Sequence, residues 1–126
     1  MRVHLTESIF RHALSFGISI DKSLISGSTA TLILRLLEEK DMYGYEMIET
    51  LRRRSKDVFE LKAGTLYPLL HSLESKKLLV SYESEAGGKT RKYYQITKDG
   101  RKYLGRKKEE WQIYAQAVAD VLYLTV

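Results

Sequence analysis

The segment AGTLYPLLHSLESKKLLVSYESEAGGKTRKYYQIT, residues Ala63–Thr97, changes its hydrophobic period halfway along, and that change decides the fold. From about Ala63 to Lys76, Leu66, Leu69, Leu70 and Leu73 recur at three- and four-residue spacing, which puts them on one face of a helix. From Leu78 to Glu83, and again from Arg91 to Ile96, the pattern is short and β-rich with a period of two. Glu85-Ala86-Gly87-Gly88-Lys89 lies between the two runs and predicts a β-hairpin with a mobile tip. Thr97 then caps a helix that can continue nearly to the C-terminus.

Upstream of this segment the period is helical. Gly44 to Ser55 predicts a helix with Tyr45, Ile48 and Leu51 inward and Arg52, Arg53 and Arg54 at its exposed end. Ser28 to Lys40 predicts another, with Leu32, Ile33, Leu36 and Leu37 recurring and Ser or Thr available to cap its start. Residues 18–27 read as a connection. Thr6 to Phe16 places Ile9, Phe10, Ala13, Leu14 and Phe16 on a broad helical face closed by Gly17. The expected architecture is mainly α with a small β-hairpin. Three short helices followed by a two-stranded hairpin lay out a winged helix-turn-helix over 27–97. A long C-terminal helix over 98–126 serves dimerisation, and an N-terminal extension over 1–26 carries a helix that packs on the dimer.

Composition narrows the function. The chain has 126 residues, a formal charge of +5, a sequence pI near 9.4 and no cysteine. A disulfide framework, a thiolate metal site and a Cys nucleophile are excluded together. His4, His12 and His71 lack the spacing of a metal site, and no phosphate-cradling loop or Gly-x-Ser-x-Gly elbow occurs. No enzyme, metal or cofactor is expected. Residues 1–26 hold no continuous apolar block, and no run approaches the roughly 18 residues that span a bilayer. The expectation is a soluble cytoplasmic protein with no membrane partner.

On the helix over Ala63–Lys76 the four leucines point inward, so Gly64, Pro68, His71, Ser72 and Ser75 point outward, flanked by Thr65 and Tyr67. That face is small, polar and free of acid, with Glu74 to the side, and it suits a DNA major groove. Pro68 removes a helical hydrogen bond within about two turns of the start. A bend there, beside Gly64, would let backbone N–H groups approach a phosphate. Lys89, Arg91 and Lys92 on the hairpin, then Lys98, Arg101, Lys102, Arg106, Lys107 and Lys108, form a basic run in which Asp99 is the only acid. The candidate DNA contacts are Lys62, Ala63, Gly64, Thr65, Tyr67, Pro68, His71, Lys89, Arg91 and Lys92.

The last helix keeps Leu104, Trp111, Tyr114, Val118 and Val121 near a 3.5-residue spacing, and Leu122 adjoins them. From Lys98 to Leu124 it would run about 40 Å, longer than a three-helix unit can cover. A partner subunit meets that need, which predicts a twofold homodimer addressing a near-palindromic site.

Three segments carry a resemblance. Leu66-Tyr67-Pro68-Leu69-Leu70-His71-Ser72-Leu73-Glu74, the run Tyr43-Gly44-Tyr45-Glu46, and Arg91-Lys92-Tyr93-Tyr94-Gln95-Ile96-Thr97 with Gly100 resemble the PadR family of transcriptional regulators, in its small subgroup with one C-terminal helix. The resemblance spans about residues 27–122. It implies a winged helix-turn-helix dimer that represses transcription and releases double-stranded operator DNA when an effector binds or conditions change. Helix three and the wing would touch DNA, and the last helix would dimerise. Trp111 matches a tryptophan that in part of the family lines a cavity between subunits, which suits a flat aromatic effector; packing in the seam is the other reading. Lys62 stands where a small capping residue is common before helix three, and Lys77 where glycine usually ends it. The alternative function is a winged-helix module that binds an acidic protein rather than specific DNA.

Overall fold

In a computed structural model that describes residues 20–124, the elements run α1 (Lys22–Ser26), α2 (Thr29–Glu39), β1 (Met42–Tyr43), α3 (Gly44–Arg54), α4 (Ala63–Ser75), β2 (Leu79–Ala86), β3 (Lys89–Ile96) and α5 (Lys98–Tyr123). The helix expected over Thr6–Phe16 lies outside the described residues. The stretch read as a connection holds the five-residue α1, whose start is capped where the Asp21 carboxylate accepts from the Ser23 amide at 2.9 Å.

The core forms where α2, α3 and α4 turn their apolar faces onto one side of the sheet. Ile33, Leu34, Leu36 and Leu37 of α2 are buried there with Leu66, Leu70 and Leu73 of α4, and Leu69 is half-buried. The inward face expected for α4 is the observed one. On α3 the buried line is Gly44, Met47 and Leu51 with Thr50, whereas Tyr45, expected inside, is 65% exposed. Tyr45 follows Gly44 by about 100° around the helix, which takes it off the line that Met47 and Leu51 extend.

The sheet has three antiparallel strands in the order β1-β3-β2. β1 pairs with β3 only through Met42↔Tyr94 and Tyr43↔Tyr93, too short a stretch to show a period in the sequence. β2 and β3 pair from Leu79↔Ile96 to Ala86↔Lys89, longer than the strands expected. The five-residue mobile tip is therefore replaced by a two-residue turn, Gly87-Gly88, with φ of 61° and 77°. Two consecutive left-handed residues match the twist of the flanking strands, and glycine adopts them without a Cβ penalty.

The turn out of α4 fixes the rest of the molecule. Lys77 takes φ 61°, its amide donates to the Glu74 carbonyl at 2.9 Å, and the Leu78 amide reaches back to the Leu73 carbonyl at 3.0 Å. This is a Schellman end with lysine in the left-handed position, a conformation that costs a non-glycine residue about 1 kcal/mol. Leu78 is buried beyond it. Thr97 ties this turn to α5: its hydroxyl donates to the Lys77 carbonyl at 2.8 Å and accepts from the Gly100 amide at 2.9 Å. Gly100 is buried so tightly that a Cβ would overlap the Leu78 carbonyl and lie 2.7 Å from Ile96 Cγ1. One turn later Leu104 is fully buried in this same core. Leu104 is thereby corrected from the dimer stripe to the core, and the first two turns of α5 belong to the winged unit.

Gly44 makes a second close approach. A Cβ there would lie 2.8 Å from Tyr67 Cζ, so the phenol of α4 rests on the start of α3. The two glycines should respond differently to alanine in urea unfolding. Gly100→Ala meets fixed backbone and should lose about 1–3 kcal/mol. Gly44→Ala meets the free end of a side chain that can swing aside, and should cost less than about 1 kcal/mol.

Candidate nucleic-acid interface

α4 presents one continuous outward surface. Ala63, Gly64, Thr65, Tyr67, Pro68, His71, Ser72 and Ser75 are all exposed, as is Lys62 at the N-cap. No side chain caps the helix start; the Lys62 carbonyl accepts from the Thr65 and Leu66 amides, both at 2.9 Å. The amides of Ala63 and Gly64 precede any intrahelical acceptor and face outward with the positive end of the helix. The helix is continuous through Pro68 from Ala63 to Ser75. Glu74, the one acid of α4, accepts from the Ser81 hydroxyl at 2.8 Å and is thereby turned toward the sheet. Tyr67 remains 41% exposed while resting on Gly44. Tyr45 of α3 is exposed, although its place in the sequence pattern pointed inward.

The wing is less uniformly basic than its sequence. Lys89 and Lys92 are exposed, but β2 brings Glu83 opposite Lys92 and Glu85 opposite Thr90. Arg91 is half-buried: its guanidinium lies 4.5 Å from the centre of the Tyr43 ring and donates to the Ala86 carbonyl at 3.3 Å. Tyr93 shares its face and Tyr94 points into the core, fully buried. Lys92 lies 5.6 Å from the Tyr94 ring centre on that other face.

The basic run of α5 divides in the same way. Lys98, Arg101 and Lys102 are exposed and form no ion pair among the described residues. Lys107 pairs with Glu110 at 3.1 Å and Lys108 with Glu38 at 3.2 Å. Of the three arginines closing α3, Arg52 pairs with Glu49 and Asp57 at 3.1 and 2.7 Å, and Arg54 with Glu39 at 2.5 Å. The hydrogen bond from Arg54 holds the Glu39 carboxyl below its ordinary value. Arg53 is exposed and forms no ion pair among the described residues.

Beyond Leu104 no residue of α5 is buried within the chain. Trp111 is 52% exposed and its ring centre lies 6.0 Å from that of Tyr114; Ile113, Val118, Val121 and Leu122 are exposed too. No group of three His, Cys, Asp or Glu among the described residues could hold a metal ion. Among those residues no helix is long and apolar enough to cross a membrane.

An outward helix face without acid, a two-stranded wing and a long projecting helix are the parts of a DNA-binding regulator. Residues 33–106 match the Transcriptional regulator PadR-like family. An uncharacterised protein of Lysinibacillus sphaericus is 39% identical over 94 residues, covering 73% of this chain and 85% of that one. The transcriptional regulator Rv3488 of Mycobacterium tuberculosis is 35% identical over 69 residues, 55% of this chain and 62% of that one. The crystal structure of a PadR family transcriptional regulator from Eggerthella lenta superposes with a TM-score of 0.73 at 30% identity, covering 94% of this chain and 99% of that one. The matched span holds the helix-turn-helix, the wing and the buried start of α5, and the chain accordingly belongs to the PadR-like family of transcriptional regulators, DNA-binding proteins rather than enzymes.

Proposed function

We propose that the chain acts as a homodimeric repressor that binds a near-palindromic operator and leaves it when a small aromatic effector binds. The observation that carries this reading is the outward face of α4, where Lys62 to Ser75 present small, polar and aromatic groups and the single acid is turned away. In the proposed complex α4 enters the major groove. Gly64, Thr65, Pro68 and His71 lie nearest the bases, and the Ala63 and Gly64 amides with Lys62 meet a phosphate. Tyr67 supports the helix from Gly44 and keeps its exposed edge for the backbone. Lys89 and Lys92 reach phosphates from the wing, whereas Arg91 is already engaged within the chain.

Pairing two copies along α5 supports the same reading. Trp111, Tyr114, Val118, Val121 and Leu122 form an apolar surface of the kind a twofold seam covers. A dimer would set two α4 helices on half-sites about 34 Å apart. Trp111, next to Tyr114, is the natural wall for a flat effector between the subunits, and opening of that seam would change the half-site spacing. A protein of this kind works in the cytoplasm, where the chromosome is.

Selection of bound sequences from random duplex DNA tests the function, with an inverted repeat as the expected outcome. Random recovery together with tight binding to an acidic protein would favour the protein-binding alternative. With roughly 6–10 phosphates neutralised, affinity should fall by about three to five decades between 50 and 200 mM salt. Lys89→Ala with Lys92→Ala should weaken binding to every duplex and reduce the logarithmic salt slope by about 2. An unchanged slope in gel-shift titrations would remove both residues from the backbone contacts. Val118→Asp should yield a monomer by light scattering; persistence of the dimer would move the seam elsewhere on α5.

A further inference from the structure

The outer face of the sheet, turned away from the core, carries a cluster that the DNA contacts do not use. Tyr82 and Tyr93 are cross-strand neighbours with rings stacked at 5.8 Å and 15°. Tyr93 meets Tyr43 edge-on at 5.6 Å and 76°, and the Arg91 guanidinium covers the Tyr43 ring at 4.5 Å. At the other end the Tyr82 hydroxyl donates to Asp41 Oδ2 at 2.5 Å and the Gln95 amide donates to the same oxygen at 3.2 Å. Asp41 lies between α2 and β1, and Tyr43 is the N-cap of α3. The cluster therefore runs from the helix-turn-helix into both strands of the wing.

Leu79, Tyr94 and Ile96 in the core and the Ser81–Glu74 bond seat the base of the wing, but its outer half has little else to hold it. From Glu83 to Thr90 every residue except Ala86 is exposed, and an unsupported two-stranded hairpin is marginal in water. The backbone link between the helix-turn-helix and the wing is the two-residue pairing of β1 with β3. Side chains extend that short link in both directions, Asp41 toward Tyr82 and Tyr43 toward Arg91.

We infer that Asp41, Tyr43, Tyr82, Arg91 and Tyr93 form a clamp that fixes the wing relative to α3 and α4, so that Arg91 is a positioning residue for DNA binding rather than a phosphate ligand. The inference rests on the DNA-binding reading above, but its structural half is measurable without DNA. A lysine at 91 keeps the charge and loses the planar group that stacks on Tyr43, which separates the two roles. A phenylalanine at 82 keeps the stack and loses only the bond to Asp41.

The test uses the full chain carrying Arg91→Lys, Tyr82→Phe or Lys89→Ala, with backbone hydrogen exchange on free protein and binding to a duplex selected by the wild type. Arg91→Lys, by losing the stack on Tyr43, and Tyr82→Phe, by losing the charge-assisted bond to Asp41, should each speed exchange across residues 84–91 about fivefold. Both should weaken DNA binding about five- to tenfold with the salt slope unchanged. Lys89→Ala should leave exchange as it is and lower the slope by about 1. Wild-type exchange in both clamp variants overturns the inference, as does faster exchange with undiminished DNA affinity. If the wild type selects no duplex, the DNA-binding reading falls, and the exchange measurement alone decides whether the clamp exists.

Discussion

One hydroxyl joins the three working parts of this chain. Thr97 stands where the wing ends and α5 begins, and its Oγ1 holds the Lys77 carbonyl behind α4 and the Gly100 amide in α5. Its own amide donates to the Leu78 carbonyl at 3.1 Å, so α4, the wing and α5 converge on three consecutive contacts. Each such bond contributes on the order of 1 kcal/mol, enough to offset the left-handed strain at Lys77. Gly100 and Leu104 then press the helix into the core, leaving no slack between α4 and the long helix. The angle of α5 relative to α4 is thereby set within one chain.

Charge is arranged less by counting cations than by what neutralises them. The net excess of basic residues describes the chain, but Glu38 and Glu39 occupy Lys108, Arg35 and Arg54 in a lattice linking α2, α3 and α5. These pairs are exposed, and each one alone contributes little to stability. They neutralise part of the basic excess, while Lys62, Lys89, Lys92, Lys98, Arg101 and Lys102 are among the exposed cations without an ion pair among the described residues. Glu83 and Glu85 dilute the wing itself. Lys89 and Lys92 are the exposed cations of the wing, and Arg91 lies over Tyr43.

The apolar surface divides at Leu104. Before it, α5 completes a core that one chain can bury; after it, Trp111, Ile113, Tyr114, Val118, Val121 and Leu122 stand in solvent. Nothing among the described residues buries that part of a helix 26 residues long. The same spacing that made Leu104 look like part of the stripe could not show that α2 packs against the start of α5 and closes the core over it.

What the sequence settled by itself was whatever depends on near neighbours. The leucine spacing of α4, the switch to a period of two, the capping Thr97 and the paired glycines act over a few residues, and those elements formed where their patterns lay. Lys77 stood where the resemblance expects a glycine, and the structure places it in the left-handed region. Tertiary structure decided the rest. β1 is two residues long and exists only because β3 lies beside it; Tyr45 is outside because Met47 and Leu51 claimed the inside; Gly44 is small because Tyr67 arrives from another helix. Arg91 read as a free cation until Tyr43, 48 positions earlier, was brought beneath it. A local pattern states which face a residue occupies, but the partner waiting at that face is chosen by chain closure.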